Sequence, residues 1–225
     1  MSIHPIIAAA IGGALLLVTL AALRWRRLKS RRQFIDTYAF PPGITARVQK
    51  RYPHLSEADL TEVMAALRQY FHLALQARKR PLSMPSQAVD MAWHEFILFT
   101  RNYEHFCHRA LGRYLHHTPA EAMRSPTEAQ EGIRRAWRLA CAQENLSPRT
   151  PPRLPRLFAL DDRLQIPDGF RYALNCMAPA AAAAGGTVIY CGSHIGCGSG
   201  GGDGGCASDS GCSGDGGGGC GGGGD

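Results

Sequence analysis

The sequence predicts an all-α protein: an N-terminal transmembrane helix, a small helical bundle and a disordered Gly/Cys-rich tail. Three observations carry that expectation. Pro5 to Leu23 holds 19 residues without a charge. The middle of the chain repeats apolar residues at spacings of three and four, the period of a helix with one buried face. And 20 of the 26 glycines fall in the last 41 of 225 residues. The chain therefore divides into 1–32, an anchor with a basic juxtamembrane segment; 33–180, a helical domain; and 181–225, a low-complexity tail.

The first segment is the right length for a membrane, since a helix rising 1.5 Å per residue needs about 20 apolar residues to cross roughly 30 Å of hydrocarbon. A cleaved signal peptide carries its positive charge ahead of the apolar run. Here the order is reversed, with Arg24, Arg26, Arg27, Lys29, Arg31 and Arg32 following it. By the positive-inside rule this orients a single-pass inner-membrane protein with its N-terminus out and the bulk of the chain cytoplasmic. The six basic side chains are then placed to hold lipid headgroups. A soluble protein with a buried first helix is the alternative.

The net charge of +7 is unevenly spread: +6 over residues 1–32, +5 over 33–184 and −4 over the tail. That distribution is not a uniformly basic surface, so nucleic acid is not an expected partner; the partners expected are lipid and a protein. The eight cysteines form no C-x-x-C pair, and zinc fingers and ribbons need such compact spacing. Cys107 and Cys141 fall within helical patterns, as small core residues do.

Within the body, Ser56-Glu57-Ala58-Asp59 opens a helix, with a serine cap and an acid three residues on. Leu60, Val63, Met64, Leu67, Phe71 and Ala74 continue it on one face, and Pro81 stops it. A second helix follows Pro85-Ser86 and runs to about Leu111 through Val89, Ala92, Phe96, Phe99, Tyr103 and Phe106. Thr118-Pro119-Ala120-Glu121 and Ser125-Pro126-Thr127-Glu128 repeat one start signal, cap, proline and glutamate. The second opens a helix through Ile133 and Trp137 to about Asn145. Leu157–Leu164 is a short helix before the turn at Pro167-Asp168-Gly169. No strand alternation is sustained, although Thr187-Val188-Ile189-Tyr190 can add a short strand.

Chemistry concentrates on the second of these helices. Asp90 and His94, four apart, share a face. On an unbroken helix, His105 and His108 fall on the same stripe, and His116 and His117 follow near its end. Imidazole and carboxylate are ordinary zinc or iron ligands, so Asp90, His94, His105 and His108 form a candidate metal set, with zinc the cofactor considered. Trp93, His116 and His117 are candidate binding residues. The competing readings are an ion-paired helix face and acid–base catalysis by a His–Asp pair. His94-Glu95 opens like a zincin motif, but Leu98 stands where the second histidine is required.

Val89-Asp90-Met91-Ala92-Trp93-His94, Tyr103-Glu104-His105-Phe106-Cys107 and Leu115-His116-His117-Thr118-Pro119 resemble bacterial relatives of the plant glycine-rich-domain proteins. The resemblance spans about residues 40–225 and implies a helical domain with a glycine-rich end, without implying an activity. Plant-type members often carry W-H-x-H; Phe96 replaces the last histidine here, which weakens a metal site inferred from them. The function expected is therefore a membrane-tethered helical binding or scaffolding module rather than an enzyme. One alternative is a metal-binding protein or metal-dependent enzyme. Another is a tail serving as substrate for post-translational modification.

Overall fold

A computed structural model describes residues 5–117, 126–174, 189–191 and 195. Seven α-helices account for most of it: α1 Pro5–Thr37, α2 Gly43–Arg51, α3 Glu57–Ala77, α4 Gln87–Leu98, α5 Thr100–Phe106, α6 Pro126–Gln143 and α7 Arg156–Arg163. A π-helical turn, Cys107–Leu111, follows α5. Two three-residue strands, β1 Arg171–Ala173 and β2 Ile189–Cys191, pair in parallel with Tyr172 opposite Tyr190. The fold is mainly helical, as the periodicity predicts. The helix signal expected from Thr118 to Glu121 and nearly all of the tail, including Cys197, Cys206, Cys212 and Cys220, lie outside the described residues.

α3 is the central element because its apolar residues spread over more than one face. Val63, Leu67, Tyr70, Phe71 and Leu73 are all buried, and α1, α2, α4, α6 and α7 pack around them. Its start is the predicted capping box: the Ser56 hydroxyl accepts from the Asp59 N–H, and the Asp59 carboxylate accepts from the Ser56 N–H. Aromatic rings fill the space between α1, α3, α4 and α5. Phe71 and Phe106 lie 4.6 Å apart and Tyr38 and Phe106 4.8 Å apart between centroids, within the range where edge and offset contacts are favourable. Trp137 of α6 is fully buried and meets Phe158 of α7 edge-on at 5.0 Å. Cys107 and Cys141 are buried free thiols, and burial pushes both thiols up, Cys141 to about 11.

The first correction concerns α1. Among the described residues no helix is long and apolar enough to cross a membrane, so the single-pass anchor and its inner-membrane orientation are not supported. α1 is 33 residues long, and its uncharged stretch gives way at Arg24 to the arginine-rich segment. The helix does not stop there. It runs through the basic residues, good helix formers, to Thr37, and its last turns dock: Ile35 is fully buried and Arg68 of α3 donates to the Ile35 and Tyr38 carbonyls. Arg24, Arg26, Arg27, Lys29 and Arg32 are exposed along it, and Arg31 is partly covered.

The second correction is to the helix expected from Ser86 to Leu111. It breaks at Phe99, whose backbone lies outside the helical region with φ −80° and ψ 59°, and resumes as α5. The π turn then widens the helix, with the Gly112 N–H reaching back to the carbonyls of Cys107 and His108. Gly112 closes it in the left-handed conformation, φ 70°, where glycine carries no Cβ penalty. A Cβ there would also collide with the Arg31 guanidinium. α2 and β1, of nine and three residues, are too short for the periodicity to reveal.

Candidate functional site: an Asp/His/His group on α4

α4 is held at its N-terminus by a buried acid from another helix. Ser86 caps it, accepting from the Val89 N–H, and its hydroxyl donates to Asp161 of α7 at 2.6 Å. The Asp161 carboxylate also accepts from the N–H groups of Gln87, Ala88 and Phe170. Such a carboxylate satisfies the orphan donors of a first helical turn and complements its positive end. Burial nonetheless pushes the Asp161 pKa up, against the lowering effect of those hydrogen bonds. Gly169 makes the arrangement fit, because a Cβ there would lie 2.7 Å from that of Asp161.

One turn along α4, Asp90 faces outward into a different environment. Its carboxylate contacts two imidazoles: Oδ1 lies 2.9 Å from His117 Nε2, and Oδ2 lies 3.2 Å from His94 Nδ1. His94 Nδ1 is also 3.0 Å from the Asp90 carbonyl oxygen. The two imidazole centroids are 4.0 Å apart, and His117 sits on the edge of Trp93 at 4.6 Å. Side-chain exposure is 19% for Asp90, 12% for His117 and 46% for His94, so the group opens to solvent on the His94 side.

His117 reaches Asp90 because a buried relay ties down the segment that carries it. The Trp93 indole N–H donates to the Tyr103 hydroxyl at 3.1 Å, and that hydroxyl donates to the Leu115 carbonyl. Burial pushes the Tyr103 pKa far up, so the hydroxyl keeps its proton as a donor. Residues 114–117 thereby return across α4 after the π turn.

One ligand atom from each of Asp90, His94 and His117 can be chosen so that all lie within 4.8 Å of one another. Donors around a single zinc ion, each about 2.0–2.2 Å from it, stand roughly 3–4 Å apart. The two carboxylate–imidazole separations, 2.9 and 3.2 Å, lie near that spacing, and the donor types suit such an ion. The four residues expected on one stripe are not brought together. His105 is exposed on α5 with its ring edge-on to Phe34 at 6.2 Å, and His108 lies on the π turn, 3.9 Å from Glu104. His116 is exposed, its ring tilted against Tyr114 at 4.9 Å between centroids. Of the candidate binding residues, Trp93 supplies the wall of the group and His117 its third member.

These features define a mainly helical protein that presents an Asp/His/His group at its surface. A family model described as UCP032817-like matches residues 30–195, and the chain belongs to that family. This corrects the resemblance to glycine-rich-domain proteins. That likeness leaned on short segments around Asp90 and on tail composition, whereas the match runs over the helical body and stops at Ile195. No curated protein and no solved structure matches the chain.

Proposed function

We propose that the protein is a helical binding module whose ligand at Asp90, His94 and His117 is a divalent transition-metal cation of the zinc type. The observation that supports this is the convergence of two imidazoles and one carboxylate, borderline ligands suited to such ions, from one helix and a returning segment. Two histidines and an acid leave part of the coordination sphere open, the pattern of zinc sites that keep a water or take a further ligand. Zinc in such a site polarises whatever oxygen ligand completes it. The chain's own contribution is to fix the donors. Trp93 buttresses the His117 ring, and the Tyr103 relay holds its backbone.

The test must separate this group from the tail thiols. The full chain should hold one more equivalent of zinc than His117→Ala or Asp90→Ala, and His105→Ala/His108→Ala should hold the same amount as the parent. Cobalt(II) in that extra equivalent should show ligand-field absorption without thiolate charge transfer. Equal metal content in parent, Asp90→Ala and His117→Ala would sink the reading.

A further inference from the structure

We propose that the cleft between α1 and the π turn is a binding site for a phosphate-bearing anion. The cleft encloses about 420 Å³ and is walled by Arg26, Arg27, Ser30 and Arg31 of α1 and by His108 and Arg109 of the π turn. Four arginines thus line one space, and no carboxylate lines it, Glu104 standing 3.9 Å from the His108 imidazole at its margin. The contrast with the groove between α3, α6 and α7 is informative. There Glu62 and Glu144 line the groove and draw arginines from it and its rim: Arg156 and Arg163 pair with Glu62, and Arg153 with Glu144. Among the described residues no ion pair ties Arg26, Arg27, Arg31 or Arg109 to a carboxylate. Concentrating like charge without counter-charge costs free energy and focuses a positive field on an open cleft.

Local geometry keeps the donors in place. Arg31 donates Nη1 to the Leu111 carbonyl at 3.1 Å and lies beneath Gly112. The Arg109 guanidinium stands over the Phe34 ring at 5.6 Å. A stacked guanidinium keeps its in-plane N–H fork for a phosphate oxygen pair. The π turn matters because the extra residue per turn resets the direction of His108 and Arg109 relative to α5, and such turns recur at functional sites. Ser30 adds a neutral hydroxyl donor. The shared chemistry is a phosphate group, whether free or carried by a lipid headgroup.

The experiment uses the full chain with two probes: inorganic phosphate by calorimetric titration, and flotation with vesicles of phosphatidylglycerol in phosphatidylcholine against phosphatidylcholine alone. Arg26→Gln/Arg109→Gln should weaken binding of whichever probe binds by at least tenfold. The charge-matched pair Arg24→Gln/Arg32→Gln, outside the cleft, should change it less than threefold. Phosphate binding identifies a soluble source, and binding only to the anionic vesicles identifies a headgroup. Equal weakening by both pairs would reduce the effect to diffuse charge and overturn the site, as would binding of neither probe. If the glutamine pair fails to fold, Arg26→Lys/Arg109→Lys replaces it. That pair keeps the charge and removes the fork, so it should still weaken binding several-fold more than Arg24→Lys/Arg32→Lys.

Discussion

Asp161 and Asp90 both serve the first turns of α4, yet they do opposite kinds of work. Asp161 is 1% exposed and accepts from a hydroxyl and three backbone N–H groups. Those partners cannot leave without unfolding the helix start. Asp90 sits one turn further along with two imidazoles, one of them nearly half exposed. Those partners are imidazoles, whose ring nitrogens can coordinate a cation. An acid whose partners are buried backbone N–H groups is part of the scaffold, whereas one whose partners are solvent-accessible imidazoles is available for binding.

The sharpest way to break this comparison is to remove each acid in turn. Asp161→Ala should cost about 3–5 kcal/mol in denaturant unfolding, because it strands buried donors. Asp90→Ala should cost no more than about 1 kcal/mol, in the range of solvent-accessible pairs. Similar losses for the two would erase the distinction between scaffold and site.

Next in size is the relay. Tyr103→Phe leaves the Trp93 indole N–H without its partner and should cost about 1–3 kcal/mol. It should also lower zinc affinity by freeing the segment that carries His117. Unchanged affinity would show that His117 is placed without the Tyr103 hydroxyl.

The smallest effect lies in pH dependence. Asp161 holds its proton more tightly folded than unfolded because burial disfavours its charge. The folded state therefore takes up more protons than the unfolded state between the two pKa values. As pH falls through the raised value, the parent should gain stability relative to Asp161→Asn, and the gain should level off below the ordinary aspartate range. Unfolding free energies of the two proteins across acidic pH check the sign. A relative loss on acidification would mean that the hydrogen bonds outweigh burial.

Much of the helical body was legible before any coordinates. The Ser56 box, the helix start after Pro85-Ser86, Pro126 at the head of α6 and the short helix near Leu157 are local signals, since each depends on residues within four of one another. Asp90 and His94 were legible as a pair for the same reason. His105 and His108 were grouped with them on the assumption that one helix continued past Phe99. That assumption also hid His117, which reaches Asp90 across 27 positions of chain. The exposed apolar and basic surface of α1 was read as two consecutive segments, an anchor and its flank. The structure has one helix whose far end joins the core.

By itself the sequence determined where most helices begin, which of their faces are apolar and that Asp90 and His94 share one face. Those properties reside in near neighbours and are settled by backbone geometry at short range. Tertiary structure alone decided which histidine completes the Asp90 group and which arginines line a common cleft. Both follow from a break at Phe99 and a widened turn after Phe106, where the chain bends to bury Phe96, Tyr103 and Phe106 together. Packing around those rings, rather than any local preference, returns Leu115 and His117 across α4.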